Sequence, residues 1–170
     1  MYIKYNLLLL FLTLSMNALS NISNNPSNWY VVTDQVMGGK SELQVSVDGG
    51  VFSLNGYVTT ENNGGFVRLA HSPENVDKEV KGIRFMAKGN NETYEVHVTM
   101  QGLRMPPWAY HSSTFDVNAE WKMFEINFSD FEKKSGVSAK LRPNNIRDIS
   151  FAGYGRDFDV DLQVKEISFY

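Results

Sequence analysis

The side chains with the widest chemical range gather in one stretch, Gln101 to Ser113, which holds Arg104, Met105, Pro106, Pro107, Trp108, Tyr110 and His111. Paired prolines stiffen a loop and present its neighbours at low entropic cost. An arginine, two aromatics and a histidine suit stacking on a sugar ring or anchoring a protein contact. Arg104, Trp108, Tyr110 and His111 are therefore the candidate binding loop. The alternative is that Trp108 folds back over one end of the domain and plugs it. A second segment, Asp34 to Ser41, contains Gly38-Gly39, which allows positive φ and close backbone approach, and Asp34 or Ser41 can bond the freed amides. With the following Glu61 and Asn63, the residues Asp34, Gly38, Gly39 and Ser41 make a candidate contact loop. A calcium ion would need six or more oxygens, and only Asp34 and Glu61 offer carboxylates here. A structural turn is the simpler reading, so no metal site is assigned.

Catalytic constellations are sparse. None of the three histidines belongs to an H-E-x-x-H motif, there is no G-x-S-x-G, and Gly38-Gly39 is not followed by G-K-[ST]. His97 falls on the polar side of an expected strand, a position that is ordinarily solvated. Glycoside hydrolysis needs two carboxylates facing each other across a cleft, whereas Asp157, Asp159 and Asp161 alternate along one strand as a solvent-facing stripe. The expectation is a binding protein with no catalytic residue assigned. A hydrolase or lyase acting on polysaccharide is the remaining enzymatic alternative.

Strands must position these residues, because the apolar pattern is mostly of period two. Leu43, Val45 and Val47 alternate with polar residues up to Asp48-Gly49-Gly50, a hairpin turn, after which Phe52 and Leu54 resume the buried face. Ile83, Phe85 and Ala87 lead to Gly89-Asn90-Asn91, and Tyr94, Val96, Val98 and Met100 follow, which reads as a second hairpin. Phe124, Ile126 and Phe128 mark one face of a later strand, with Trp121 and Met123 on the other parity. Phe158 to Val164 alternates until the parity slips to Ile167 and Phe169, which implies a bulge near Lys165-Glu166. Ser129-Asp130-Phe131-Glu132 has capping-box spacing and is the one expected helical turn. About ten strands and one short helical turn predict an all-β domain of two packed antiparallel sheets.

The first twenty residues read as a separate element. Lys4 precedes an apolar run, Leu7 to Leu14, and Ala18-Leu19-Ser20 supplies small residues at cleavage-site spacing. This is the pattern of a secretory signal peptide, and the run is shorter than the roughly 20 residues a spanning helix needs. Residues 1–20 are thus an expected leader, 21–28 a flexible Asn/Ser-rich lead, and 29–170 one domain. The expected location is periplasmic or extracellular, with no integral membrane segment after cleavage. The chain has 16 Lys+Arg, 19 Asp+Glu and a formal net charge of −3, and no basic run. Phosphate neutralisation needs clustered cations, so nucleic acid is not the expected partner. With no cysteine, stability must come from packing, and thiol and thiolate-metal chemistry are excluded.

Several stretches in order resemble the complex I intermediate-associated protein 30 family. Trp29 precedes Asp34-Gln35-Val36-Met37-Gly38-Gly39-Lys40-Ser41, similar to that family's D-x-V-M-G-G-x-S signature. Phe52, Gly56 and Asn62-Asn63-Gly64-Gly65-Phe66 resemble its N-G-G-F segment, and Gly82 to Tyr94 its strand, glycine turn and tyrosine. Tyr110, Phe115, Trp121, Phe128, Phe131, Ile146 and Gly153 continue the likeness. The resemblance implies a galactose-binding-like jelly-roll β-sandwich and a chaperone-like assembly factor that binds protein. A leader departs from that mitochondrial role and directs attention to an exported or membrane-protein partner, or to a glycan held as by a carbohydrate-binding module.

Overall fold

A computed structural model describes residues 22, 24–102 and 109–170. The expected leader, residues 1–20, lies outside the described residues, as do Arg104 and Trp108. Among the described residues there are eleven strands in two antiparallel sheets. The six-stranded sheet runs β1 (Trp29–Thr33), β4 (Phe66–His71), β10 (Ile146–Tyr154), β6 (Thr93–Met100), β7 (Tyr110–Asp116), β9 (Glu132–Lys134). The five-stranded sheet runs β2 (Glu42–Asp48), β3 (Val51–Val58), β11 (Phe158–Phe169), β5 (Gly82–Gly89), β8 (Lys122–Asn127). This is the jelly-roll sandwich, and the alternating residues on facing sides form its core. Phe85 of β5 meets Phe151 of β10 edge-on at 4.9 Å and Phe115 of β7 at 5.0 Å, while Trp29 meets Phe52 at 5.0 Å. Edge-to-face pairs of this kind each contribute about 0.5–1.5 kcal/mol beyond their buried area.

Turn chemistry sets the register. Gly49 and Gly50 have φ of 54° and 80° and close the β2–β3 hairpin, which pairs Asp48 with Val51. The bulge expected near Lys165-Glu166 is present: the pairing of β11 with β5 shifts between Lys165 and Ser168, and Glu166 has φ 52°.

Three local expectations need correction. Gly89-Asn90-Asn91 does turn the chain, with Asn91 at φ 59°, but β5 and β6 enter different sheets, so the turn is a crossing and not a hairpin. Tyr94 fixes that crossing. Its hydroxyl donates to Asn90 Oδ1 at 2.8 Å and accepts from the Asp161 amide at 3.0 Å, and burial pushes the phenol up to about 12. The turn expected at Ser129–Glu132 is shifted toward the N-terminus: Phe128–Asp130 is a 3₁₀ turn capped by Asn127, and Glu132 starts β9. Where a flexible lead is expected, Ile22 is buried in the core and Pro26–Asn28 forms a 3₁₀ turn capped by Asn25.

Candidate functional site

The centre of the outer face of the six-stranded sheet is built from small residues. Ala70 on β4, Ser150 and Ala152 on β10 and Ser112 on β7 all point outward there and are buried. Larger side chains flank them in register. One row runs Ala70, Ser150, His97, Ser112, and the next runs Arg68, Ala152, Glu95, Thr114. Tyr154 lies opposite Phe66, and Tyr110 opposite Lys134. Of this face, Arg68, His97, Tyr110 and Tyr154 line an open cleft of about 700 Å³, together with Thr60, residues 63–66, Ser135, Gly155 and the tip of the signature loop.

Inside the cleft the polar groups are tightly arranged. His97, 2% exposed, lies flat on Tyr110 with ring centroids 4.2 Å apart and meets Tyr154 edge-on at 5.4 Å. Its Nε2 lies 2.7 Å from Glu95 Oε2, so Nε2 carries the proton it shares with the carboxylate and Nδ1 is a bare acceptor without a partner. Burial pulls the His97 imidazole below its usual value, against the opposing pull of Glu95. Burial alone would raise the Glu95 carboxyl, but the bond from His97 and a further bond from Ser112 bring it lower than usual. Burial, and then its hydrogen bond with Tyr154, push the Tyr110 phenol up, so it stays a neutral donor. Tyr154 itself is 41% exposed and forms the accessible aromatic surface of the cleft.

The signature loop forms one rim, and Asp34 explains its sequence. Its fully buried carboxylate accepts from Ser41 N at 2.9 Å, Ser41 Oγ at 2.5 Å, Gly65 N at 2.6 Å and Phe66 N at 3.2 Å. Burial by itself would raise this group, yet the four donors hold it below the ordinary carboxylate range. Close approach requires the glycines: a Cβ at Gly39 would overlap the Asp34 carboxyl, and one at Gly64 would sit 2.5 Å from its Oδ2. Asp34–Met37 is a 3₁₀ turn ended by Gly38 at φ 87°. Lys40 and Glu61 join the same two loops from outside, Nζ to Oε2 at 2.5 Å. The constraint delivers Val36 and Met37 to solvent at 73% and 55% exposure beside the cleft.

The candidate residues therefore divide. Asp34, Gly39, Ser41 and Glu61 staple two loops together. Asp34 has its oxygens occupied by protein donors and Glu61 is drawn to Lys40, so these carboxylates do not form the cation site weighed for them. Among the described residues no cluster of three or more His, Cys, Asp or Glu is placed to hold a metal. Asn63, at φ 60°, lines the cleft. Tyr110 and His111 are strand residues of β7 and not loop residues. Tyr110 faces the cleft, while His111 turns the other way, 1% exposed, with Nε2 3.1 Å from the Ala139 carbonyl oxygen. His97, expected on a solvated face, is buried in the cleft wall. Arg68, Glu95, His97 and Tyr154 were not candidates in the sequence. The signal that would have found Arg68 and His97 is a large polar residue placed in register beside Ala70, Ser150 and Ala152, and it requires the strand pairing to be known.

Several solved structures that share this fold are carbohydrate-binding modules. The chain superposes on a family 11 module from Clostridium thermocellum solved with a β-1,3-1,4-mixed-linked tetrasaccharide, with TM-score 0.70 and 17% identity over 88% of this chain and 94% of that one. A second structure, the family 11 module of the cellulosomal cellulase Lic26A-Cel5E of Clostridium thermocellum, gives TM-score 0.69 and 19% identity over 84% and 86%. A family 30 carbohydrate-binding module gives TM-score 0.60 and 14% identity over 83% and 91%. At these identities the likeness is one of fold. No curated protein sequence matches. The family model for Complex I intermediate-associated protein 30 matches residues 19–164, and with the signature loop now accounted for atom by atom, the chain belongs to that family.

Proposed function

We propose that this protein is an exported, non-catalytic binding domain that holds a glycan chain in the cleft of its six-stranded sheet. The observation that carries the reading is the cleft lining: an accessible tyrosine face at Tyr154, neutral hydroxyl and imidazole groups at Tyr110 and His97, and the Arg68 guanidinium. A sugar ring needs this combination, an aromatic face for its C–H surface and fixed polar groups for its hydroxyls. The sandwich likeness to carbohydrate-binding modules, one of them solved with a tetrasaccharide, supports it. Binding without turnover is supported by the carboxylates of this sheet face and of the signature loop. Asp34 and Asp148 each accept four hydrogen bonds and Glu95 is engaged by His97, so none is placed as a free acid or base.

The test is binding to a panel of soluble polysaccharides by affinity electrophoresis, with Tyr154→Ala as the variant. At least about tenfold weakening is expected, the loss of one central aromatic contact. Retention by the gel that is indifferent to Tyr154→Ala would remove the cleft from the account. Export is tested by the N-terminus of the protein recovered from its host, expected near Asn21.

One observation favours a second reading, an assembly role toward a protein. Val36 and Met37 are exposed apolar residues held rigidly by the loop that carries the family signature. Replacing both by serine should abolish capture of an envelope protein if that ridge is the contact, and capture indifferent to the change would remove the ridge from the account.

A further inference from the structure

Arg68 raises a problem of charge. It lies on β4 between Val32 and Ala152, facing the cleft, and is mostly buried. Its Nε is enclosed without a hydrogen-bond partner, and it makes no ion pair with any described residue. Its close neighbour is the Phe66 ring, 5.1 Å from the guanidinium carbon, which is only a weak counterweight to charge. Nearby acids are committed elsewhere. Glu95 is bonded to His97, and Asp148 accepts from Tyr30, Ser72, Thr99 and Arg147. Residues 1–21, 23 and 103–108 contain no aspartate or glutamate, so no side chain outside the described set can neutralise it either. A desolvated, unpaired guanidinium destabilises a fold, and a planar fork of donors is matched by an oxyanion.

We infer that the cleft selects an acidic glycan, with the carboxylate or sulfate of one sugar residue seated on Arg68 while an adjoining ring lies on Tyr154. The inference rests on the glycan reading above and adds the charge of its ligand. Because the chain as a whole is mildly acidic, with formal net charge −3, the attraction is local to Arg68 and is not a general electrostatic one.

Two polymer pairs separate the sources of the charge: a polyuronate against its carboxyl-reduced form, and a sulfated galactan against its desulfated form. Titration calorimetry of the full mature protein is expected to show at least about tenfold preference for the charged member of one pair, lost in Arg68→Gln and partly kept in Arg68→Lys. The pair that shows the preference identifies the group. A second readout needs no ligand: Arg68→Gln should unfold at an equal or higher temperature than the parent, since it deletes an unpaired charge. Equal binding of charged and neutral members, or a preference that survives Arg68→Gln, overturns the inference and leaves the glycan reading standing. Binding to none of the four, nor to any neutral polysaccharide, overturns both. A marked fall in melting temperature for both Arg68 variants would show Arg68 to be structural and also overturns it.

Discussion

Asp34 contacts four donors drawn from two loops, so its loss reaches beyond one hydrogen bond. In Asp34→Asn, an NH₂ group would face amides that are themselves donors, leaving at least one buried donor unpaired. The expected cost is about 2–3 kcal/mol, read as a lower urea midpoint with unchanged slope; a change under about 0.5 kcal/mol would contradict the staple, since that is the ordinary range of a surface substitution. Gly39→Ala should act in the same direction by displacing the carboxylate. Titration acts at this scale too. Burial lowers both His97 and His111. Below the unfolded value of about 6.5, the unfolded chain takes up protons that the folded chain refuses, so stability falls as pH drops through that region. Asp34, Glu95 and Asp148 are depressed in the fold. Their contribution is present above about pH 4 and is lost as pH falls through their folded values. Urea midpoints measured from pH 8 to pH 5 should therefore decline below about 6.5, and the decline should be shallower in His97→Gln. A flat profile, or one unchanged by that substitution, would contradict the burial of these imidazoles.

At the scale of elements, the crossing from β5 to β6 decides which residues reach the cleft. If these strands formed a hairpin, β6 would lie in the five-stranded sheet and Glu95 and His97 would be far from Arg68. Tyr94 holds the crossing with two hydrogen bonds, to Asn90 and from Asp161. Tyr94→Phe keeps the ring in the core and deletes both. The expected loss is about 1–2 kcal/mol, with secondary structure retained by circular dichroism; an unchanged melting curve would show that the glycine turn suffices. The same crossing marks what could be read from the sequence. Alternation located the strands, and Gly49-Gly50 and the slip at Lys165-Glu166 were legible because turn and bulge chemistry is local. Whether Gly89-Asn90-Asn91 joins strands within a sheet or between sheets depends on distant partners, Leu162 beside Gly89 and Ser150 beside His97. Local pattern carries no record of that choice. The cleft was illegible for the same reason, since its residues come from β4, β6, β7 and β10 and meet only through register. The signature loop was legible as a turn, while the purpose of its aspartate required the amides of Gly65 and Phe66, more than thirty positions away.

For the whole molecule, the two sheets divide the labour. The five-stranded sheet supplies Phe52, Phe85, Leu162 and Val164 to the core, and its outer face carries Met123, 46% exposed, and the Trp121 ring with Lys165 Nζ 4.6 Å from its centroid. The six-stranded sheet carries the cleft, with a rim set by the family signature. A ligand held in the cleft should therefore perturb one face only. The direct measurement is a ¹⁵N-amide titration of the protein with an oligosaccharide of a polysaccharide that retains it in affinity electrophoresis. The account predicts shifts concentrated on Arg68, His97, Tyr110 and Tyr154 and on the 61–66 segment, with Met123 and the rest of β8 unmoved. Shifts centred on β5 and β8, or spread evenly over both sheets, would contradict it.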